Sequence, residues 1–231
     1  MELNVIHEDN HLLAVHKPAG LLVQGDRSGA IDLTVVAKDY LRRKYDKPGN
    51  VYLGLVHRLD RNVSGVVLLA RTSKAASRLA AAFRDKKVEK IYQAVVAGRP
   101  HPEAGRLQAW LGAKGDARGV TRARRQPFSG ARESLLRYRL LEADQGLSLV
   151  EVRPVTGRRH QIRAQLALAG HPLLGDVKYG SRHRLPDHRL ALHALALELE
   201  HPVGGRALRL ETPPPPDWPW PPSAGERVKG G

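Results

Sequence analysis

The chain has 231 residues, no cysteine and a formal net charge of +15, from 38 lysines and arginines against 23 aspartates and glutamates. The basic excess favours a polyanionic partner, nucleic acid first and an anionic membrane surface second, although a composition that merely favours arginine gives the same charge. The absence of cysteine excludes disulfides, thiolate zinc sites and thiol catalysis. No apolar run approaches the ~18 residues of a membrane-spanning helix and no signal peptide opens the chain, so we expect a soluble, cytoplasmic protein.

The N-terminal part predicts two short strands within residues 2–23 and a helix over residues 31–45. The second strand stops at Lys17-Pro18-Ala19-Gly20, because proline cannot donate to a sheet and glycine permits a sharp bend. The helix has apolar residues at helical spacing and Asp32 near its N-terminus. For Lys17 the ordinary interpretation is an exposed lysine in a turn.

A charged segment, residues 56–65, lies between an apolar approach and a predicted strand at residues 66–70. It carries His57, Arg58 and Asp60, and Ser64-Gly65 is a turn signal. If the segment is extended, Arg58 and Asp60 point to the same side, because side chains alternate with a period of two. An aspartate beside arginines stays ionised, which makes Asp60 a candidate nucleophile or charge stabiliser rather than a general acid. The alternative is a salt-bridged turn that only stabilises a loop.

The middle of the chain predicts a helix over residues 73–87 with Thr72 or Ser73 as its cap, followed by a strand over residues 88–98 that contains Tyr92. A tyrosine in a strand is ordinarily part of the core. Residues 99–134 are the least regular part, although residues 105–111 and 129–137 could pair as strands. They fit either a basic stretch that follows an RNA backbone or a flexible insertion. A hairpin over residues 137–152 turns at Asp144-Gln145-Gly146. The arginines of the irregular part include Arg118, Arg122, Arg124 and Arg125.

A second charged block follows the hairpin, at residues 154–163. Thr156 is predicted to cap a helix that runs to Gly170. Arg159 and Arg163 are four residues apart and would share a face of this helix, so a nearby anion should offset their repulsion. The histidines at 183, 188 and 193 are spaced by five, which suits neither a helix face nor a strand face, so no metal site is predicted.

Five ordered motifs between about residues 5 and 202 resemble those of the RluA-type pseudouridine synthases. The central one, His-Arg-Leu-Asp-x-x-Thr-Ser-Gly in the family, is matched over residues 57–65 except that Val63 replaces threonine. Lys-Pro-x-Gly begins at Lys17, and Lys-x-Tyr-x-Ala-x-Val-x-Gly includes Tyr92. The Gly-Arg-x-His-Gln-Ile-Arg motif is matched over residues 157–163, and residues 170–176 and 190–194 resemble a later turn and strand.

The resemblance implies roles for individual residues. Asp60 occupies the position of the catalytic aspartate, Arg163 pairs with that carboxylate, and Tyr92 stacks on the target base. Arg58 fills the space that the flipped base leaves. Lys17 borders the cleft in a supporting role. The remaining side chains expected to face substrate or loop backbone are Arg158, Arg159 and His160.

The implied fold is α+β, with a mixed, largely antiparallel bent sheet flanked by helices. The catalytic domain is expected over residues 1–212, followed by a Pro-rich tail over residues 213–231 that is extended or disordered or has its two tryptophans docked, and without an N-terminal S4 domain. The implied reaction isomerises uridine in rRNA or tRNA, needs no cofactor or metal, and is expected of a monomer. The rival function is a non-catalytic RNA-binding protein on the same scaffold. A glycosidase lacks a convincing second acid.

Overall fold

The computed structural model describes residues 2–25, 29–117 and 119–221, so Arg118 and the end of the predicted tail lie outside the described residues. The described chain forms two compact units, one built from residues up to 90 with 194–214 and the other from residues 91–193 with 215–221. The elements in chain order are β1 (Asn4–Glu8), β2 (Leu12–Lys17), α1 (Leu33–Lys44), β3 (Gly54–Leu55), β4 (Ser64–Ala70), α2 (Ser73–Arg84), β5 (Glu89–Ala97), β6 (Ala104–Gly115), β7 (Thr121–Arg124), β8 (Ala131–Asp144), β9 (Leu147–Pro154), α3 (Gln161–Leu168), β10 (Leu192–Glu200) and β11 (Ala207–Glu211).

The first unit is built around β4, whose seven residues are all buried. β4 lies between β2 and β10, while β1 pairs with β2 and β11 pairs with β10. Leu68 of β4 and Leu79 of α2 belong to one apolar cluster, so the helix covers this part of the sheet. Both helices begin where the sequence predicts, because Asp32 accepts from two amides of α1 and the Thr72 hydroxyl accepts from an amide of α2.

The second unit contains a run of antiparallel strands in the order β5-β9-β8-β6-β7. The predicted hairpin is present, and it turns at Gln145 and Gly146, both of which have positive φ. The strand pairing predicted between residues 105–111 and 129–137 is present and extends further, because β6 and the first part of β8 pair over nine residues, from Ala104 opposite Arg139 to Gly112 opposite Ala131. The α+β class with largely antiparallel strands is confirmed.

The beginning of the Pro-rich tail packs on the second unit. Trp218 and Trp220 lie against a buried cluster that includes Leu147 and Leu174, and the Trp220 indole donates to Glu142 at 2.9 Å. Asp217 forms an ion pair with Arg189. Of the alternatives for the tail, docking by its tryptophans is therefore the one found in the described residues.

The carboxylate of Glu8, at the end of β1, contacts side chains from other parts of the first unit. It accepts hydrogen bonds from Tyr40 and Tyr45 and forms ion pairs with Lys44 and Arg71. Burial alone would raise the pKa of Glu8, but the hydrogen bonds from Lys44 and the two tyrosines outweigh it and lower the pKa to about 2. The ionised carboxylate is therefore stabilised by folding.

Glu8→Gln is expected to lower the free energy of unfolding at pH 7 by about 1–2 kcal/mol, allowing for solvent screening. Because the folded pKa lies below the unfolded one, the wild-type advantage is complete above pH 4.5 and is lost as the pH falls towards 2. Urea unfolding of both proteins at several pH values measures this difference. An advantage that is constant between pH 7 and pH 3 would contradict it.

Candidate active site

The central charged segment forms a short turn anchored on both sides by apolar side chains. Leu59 and Val63 are buried, and the Val63 amide donates to the Asp60 carbonyl at 3.1 Å, which closes the turn. Asp60 is half-buried, whereas Arg58 is exposed. Because its neighbours are fixed in the core, the segment presents the Asp60 carboxylate from a defined backbone position.

The side chain of Lys17 binds the backbone of this turn. Its side chain is completely buried, and Nζ donates to the carbonyls of Pro18, Leu21 and Arg61 at 2.8–3.0 Å. The Gly20 amide also donates to the Arg61 carbonyl, so the loop after β2 is tied to the turn after Asp60. This placement fits the supporting role expected for Lys17, although the ammonium reaches backbone carbonyls and no solvent-exposed surface.

The charge of Lys17 is coupled to that of Asp60. Burial lowers the pKa of Lys17 to about 7, the negative charge of Asp60 acts in the opposite direction, and Arg61 lowers the pKa further. An ammonium has three N–H donors, which is the number of carbonyls around Nζ. Lys17 therefore places a buried, hydrogen-bonded amine behind the turn that carries Asp60, and the Asp60 carboxylate favours its protonated form.

His57 packs inside the first unit. Its Nε2 accepts from the Leu68 amide at 2.9 Å, and its ring stacks on Phe83 with the ring centres 4.9 Å apart. Burial, with a smaller contribution from the positive charge of Lys90, lowers the pKa of His57 to about 4. A neutral imidazole that accepts from β4 anchors the start of the charged segment.

The second charged block differs from its predicted form. α3 begins at Gln161 rather than after Thr156, and His160 precedes it with a φ of +52° and without a side-chain cap. The Thr156 hydroxyl instead accepts from the Leu135 amide and donates to Gln161, whose amide side chain also bonds the Arg158 amide and the Leu135 carbonyl. These bonds to β8 hold residues 156–160 in an irregular loop.

The shared helix face predicted for Arg159 and Arg163 is wrong, because Arg159 lies before α3 and is exposed while Arg163 is buried within it. An anion does lie next to Arg163: the carboxylate of Asp176 accepts from Nε at 2.7 Å and from Nη2 at 2.9 Å. The guanidinium also lies over the Tyr179 ring, 4.9 Å from its centre. Asp176 therefore contacts the edge of the Arg163 guanidinium, and Tyr179 contacts its face.

Asp176 and Tyr179 were missed as site residues. The sequence predicts only a turn at residues 170–176, whereas Asp176 is almost completely buried and pairs with Arg163. A signal existed in the sequence: an arginine on the apolar side of a helix needs a buried carboxylate. Tyr179 accepts from the Thr121 amide at 2.7 Å and bonds His160 Nδ1 at 3.0 Å.

The predicted site residues fall into two groups. In the first unit the structure brings Lys17 and Asp60 together and leaves Arg58 exposed beside them. In the second unit His160 and Arg163 meet at Tyr179, while Arg158 and Arg159 are exposed. Tyr92 is half-buried in β5, opposite Val152 of β9.

The described part of the chain contains neither a candidate metal site nor a helix that could cross a membrane. No group of three histidine, cysteine, aspartate or glutamate side chains there could hold a metal ion. No helix among residues 2–25, 29–117 and 119–221 is long and apolar enough to cross a membrane.

Comparison with known proteins agrees with the geometry. The family model for RNA pseudouridylate synthase matches residues 11–168. The chain is 34% identical to ribosomal large subunit pseudouridine synthase D of Pseudomonas aeruginosa, covering 95% of this chain and 71% of that protein. It is also 34% identical to ribosomal large subunit pseudouridine synthase C of Vibrio cholerae, covering 92% of this chain and 66% of that protein.

A solved structure supports the same relationship. Human RNA pseudouridylate synthase domain containing 4 superposes with a TM-score of 0.76 at 26% identity, over 92% of this chain and 89% of that one. The family match includes the turn with Asp60, the strand with Tyr92 and the first two turns of α3 with Arg163. The chain belongs to the RNA pseudouridylate synthase family.

Proposed function

We propose that this protein is an RNA pseudouridine synthase that isomerises uridine in large-subunit ribosomal RNA, with Asp60 as its catalytic carboxylate. The observation that carries the proposal is the placement of Asp60: a half-buried aspartate at the family's catalytic position, on a turn fixed by Leu59 and Val63 and backed by the Lys17 ammonium. A turn that only stabilised a loop would not need a completely buried lysine behind it, because burying an ammonium is costly.

The proposed reaction exchanges no atoms or electrons with a second substrate. The N1–C1′ bond of uridine breaks, the uracil turns while it is held, and C5 bonds to C1′. C5 then loses its proton and N1 gains one, so the product is an isomer of the substrate. Asp60 either attacks C1′ or removes a proton from the ribose, and both routes require the ionised carboxylate. The isomerisation therefore needs no cofactor.

The target uridine must leave its stack before it can react, because its reacting atoms are otherwise covered by neighbouring bases. We assign Tyr92 to stacking on the extruded base and Arg58 to the space that the base leaves. The exposure of Arg58 supports its assignment. Arg163 would orient the Asp60 carboxylate, and the exposed Arg158 and Arg159 would bind phosphates.

Large-subunit rRNA is the proposed substrate because the bacterial relatives named above are ribosomal large subunit synthases. Transfer RNA is the other substrate class for a chain with this reaction. The test is to map pseudouridines in total RNA from cells with and without the gene. We expect one or a few pseudouridines in large-subunit rRNA to disappear, and to return with the wild-type gene but not with Asp60→Asn. Losses confined to tRNA would overturn the rRNA assignment.

A further inference from the structure

The surroundings of Arg163 are more elaborate than a simple ion pair requires. We propose that Asp176 and Tyr179 are positioning residues that fix the plane and the direction of the Arg163 guanidinium for uridine isomerisation. The proposal rests on the function proposed above, in which Arg163 acts at the reacting centre. It assigns a role to two residues after α3, of which Asp176 lies in the predicted turn at residues 170–176 and Tyr179 follows it.

Asp176 binds the edge of the Arg163 guanidinium. Both of its oxygens are used, at 2.7 Å from Nε and 2.9 Å from Nη2, and both side chains are buried. A bidentate pair of this kind sets the orientation of the guanidinium as well as its distance. The backbone of Asp176 is itself held, because its carbonyl accepts from the amides of Tyr179 and Ser181.

Tyr179 packs against the face of the Arg163 guanidinium. Its ring lies 4.9 Å from the guanidinium carbon of Arg163, where the negative face of the ring attracts the cation. The ring cannot slide freely, because its hydroxyl accepts from the Thr121 amide of β7 and bonds His160 Nδ1. Burial raises the pKa of Tyr179, so the phenol stays protonated and neutral near pH 7.

The pairing with Asp176 changes the net charge and the hydrogen-bond donors that Arg163 contributes to the reaction. The charge of Asp176 largely balances that of Arg163, so the pair brings directed N–H donors rather than a net positive charge. Lysine could not replace arginine here, because an ammonium lacks the planar fork that matches a carboxylate. On this reasoning the pair provides a guanidinium of fixed orientation, and its net charge is secondary.

The competing explanation is a purely structural ion pair, since buried pairs often contribute only to folding. The two explanations differ in how substitutions combine. If Asp176 acts through Arg163, then Asp176→Asn should matter little once Arg163 has been replaced by lysine. If the pair only holds the fold together, Asp176→Asn should reduce activity in proportion to the fraction of unfolded protein.

The experiment measures tritium release from C5-labelled rRNA for wild type, Asp176→Asn, Arg163→Lys and the double variant, with Asp187→Asn as a control on an exposed aspartate of the same segment. We expect Asp176→Asn to lower kcat about 10–100-fold with KM nearly unchanged, Asp187→Asn to match wild type, and the double variant to resemble Arg163→Lys. Independent, multiplying losses or an unchanged kcat would overturn the proposal.

A second pair of variants covers the case in which Asp176→Asn does not fold. Tyr179→Phe keeps the ring under the guanidinium, and Tyr179→Leu removes it. We expect kcat of the leucine variant to be about fivefold or more below that of the phenylalanine variant at similar KM. Equal values of kcat would show that the ring face does not position Arg163.

A measurement independent of activity separates this proposal from the proposed function. In protein labelled with ¹⁵N-arginine, the Nε–H of Arg163 should exchange slowly in wild type and about tenfold faster or more in Tyr179→Leu. If wild type released no tritium from any RNA, the proposed function would fail while slow exchange still showed a fixed guanidinium. Rapid exchange in wild type would overturn the positioning itself.

Discussion

Asp60→Asn is expected to reduce tritium release from C5-labelled uridine RNA by about 10⁴-fold or more, because the amide is neither a nucleophile nor a base. The substitution keeps the shape of the side chain on a turn whose anchors are Leu59 and Val63. The free energy of unfolding should therefore change by less than about 1 kcal/mol. Single-turnover assays with excess enzyme measure the chemical step directly.

The matched control is Asp85→Asn, which removes one carboxylate from the exposed C-terminal end of α2. It should release tritium at the wild-type rate. RNA binding by Asp60→Asn should persist, because affinity depends mainly on contacts with phosphates. Tritium release by Asp60→Asn at the rate of Asp85→Asn would remove Asp60 from the mechanism. A wild-type protein that binds RNA and releases no tritium would instead support the non-catalytic alternative.

Local signals predicted the first unit well. The caps at Asp32 and Thr72 depend on residues two or three positions away in the chain, and α1 and α2 begin directly after them. β4 contains the apolar run predicted at residues 66–70, but it begins at Ser64, so Ser64 and Gly65 belong to the strand and the turn lies before them. Each of these features is determined within about one turn of helix or one strand, which is the range that periodicity and capping cover.

The predictions that were incomplete or wrong concern features that depend on partners far away in the chain. β6 has no β-branched residue, so the sequence favoured its pairing with β8 only as one alternative, and that pairing is what makes it a strand. Thr156 looked like a cap, but its hydroxyl bonds the Leu135 amide, 21 residues away. In both cases tertiary hydrogen bonds replaced the local structure that the residues would otherwise favour.

The candidate site was predicted to a similar extent. Motif resemblance identified Asp60, Tyr92 and Arg163 as a set, and their catalytic roles stay predictions. It did not identify the supporting contacts. Arg163 donates to Asp176 and the Thr121 amide donates to Tyr179, and these bonds join segments whose approach depends on the packing of α3 against β6 and β7. Residue types that react can be recognised in a sequence, whereas the groups that orient them become visible only in three dimensions.

Gly65→Ala is expected to destabilise the first unit severely, by more than about 4 kcal/mol, because it combines two costs. Gly65 has a φ of +125°, which an L side chain rarely adopts. An added Cβ would also lie 2.6 Å from the Ala194 nitrogen and 2.7 Å from its carbonyl carbon. These are backbone atoms of β10 and cannot move aside as a flexible side chain would.

Gly170→Ala separates these two costs. Gly170 also has a positive φ, of +92°, but an added Cβ there would meet no atom within 4 Å. Gly170→Ala should lower the free energy of unfolding only by the cost of the positive φ, about 1–2 kcal/mol. The difference between the two variants in free energy of unfolding, measured with urea, therefore gives the steric cost of the close approach of β4 to β10. Equal losses of free energy in the two variants would show that this approach is not tight. Because Gly65 pairs with Lys17 and directly follows the Asp60 turn, the steric requirement for glycine fixes the strand from which that turn projects.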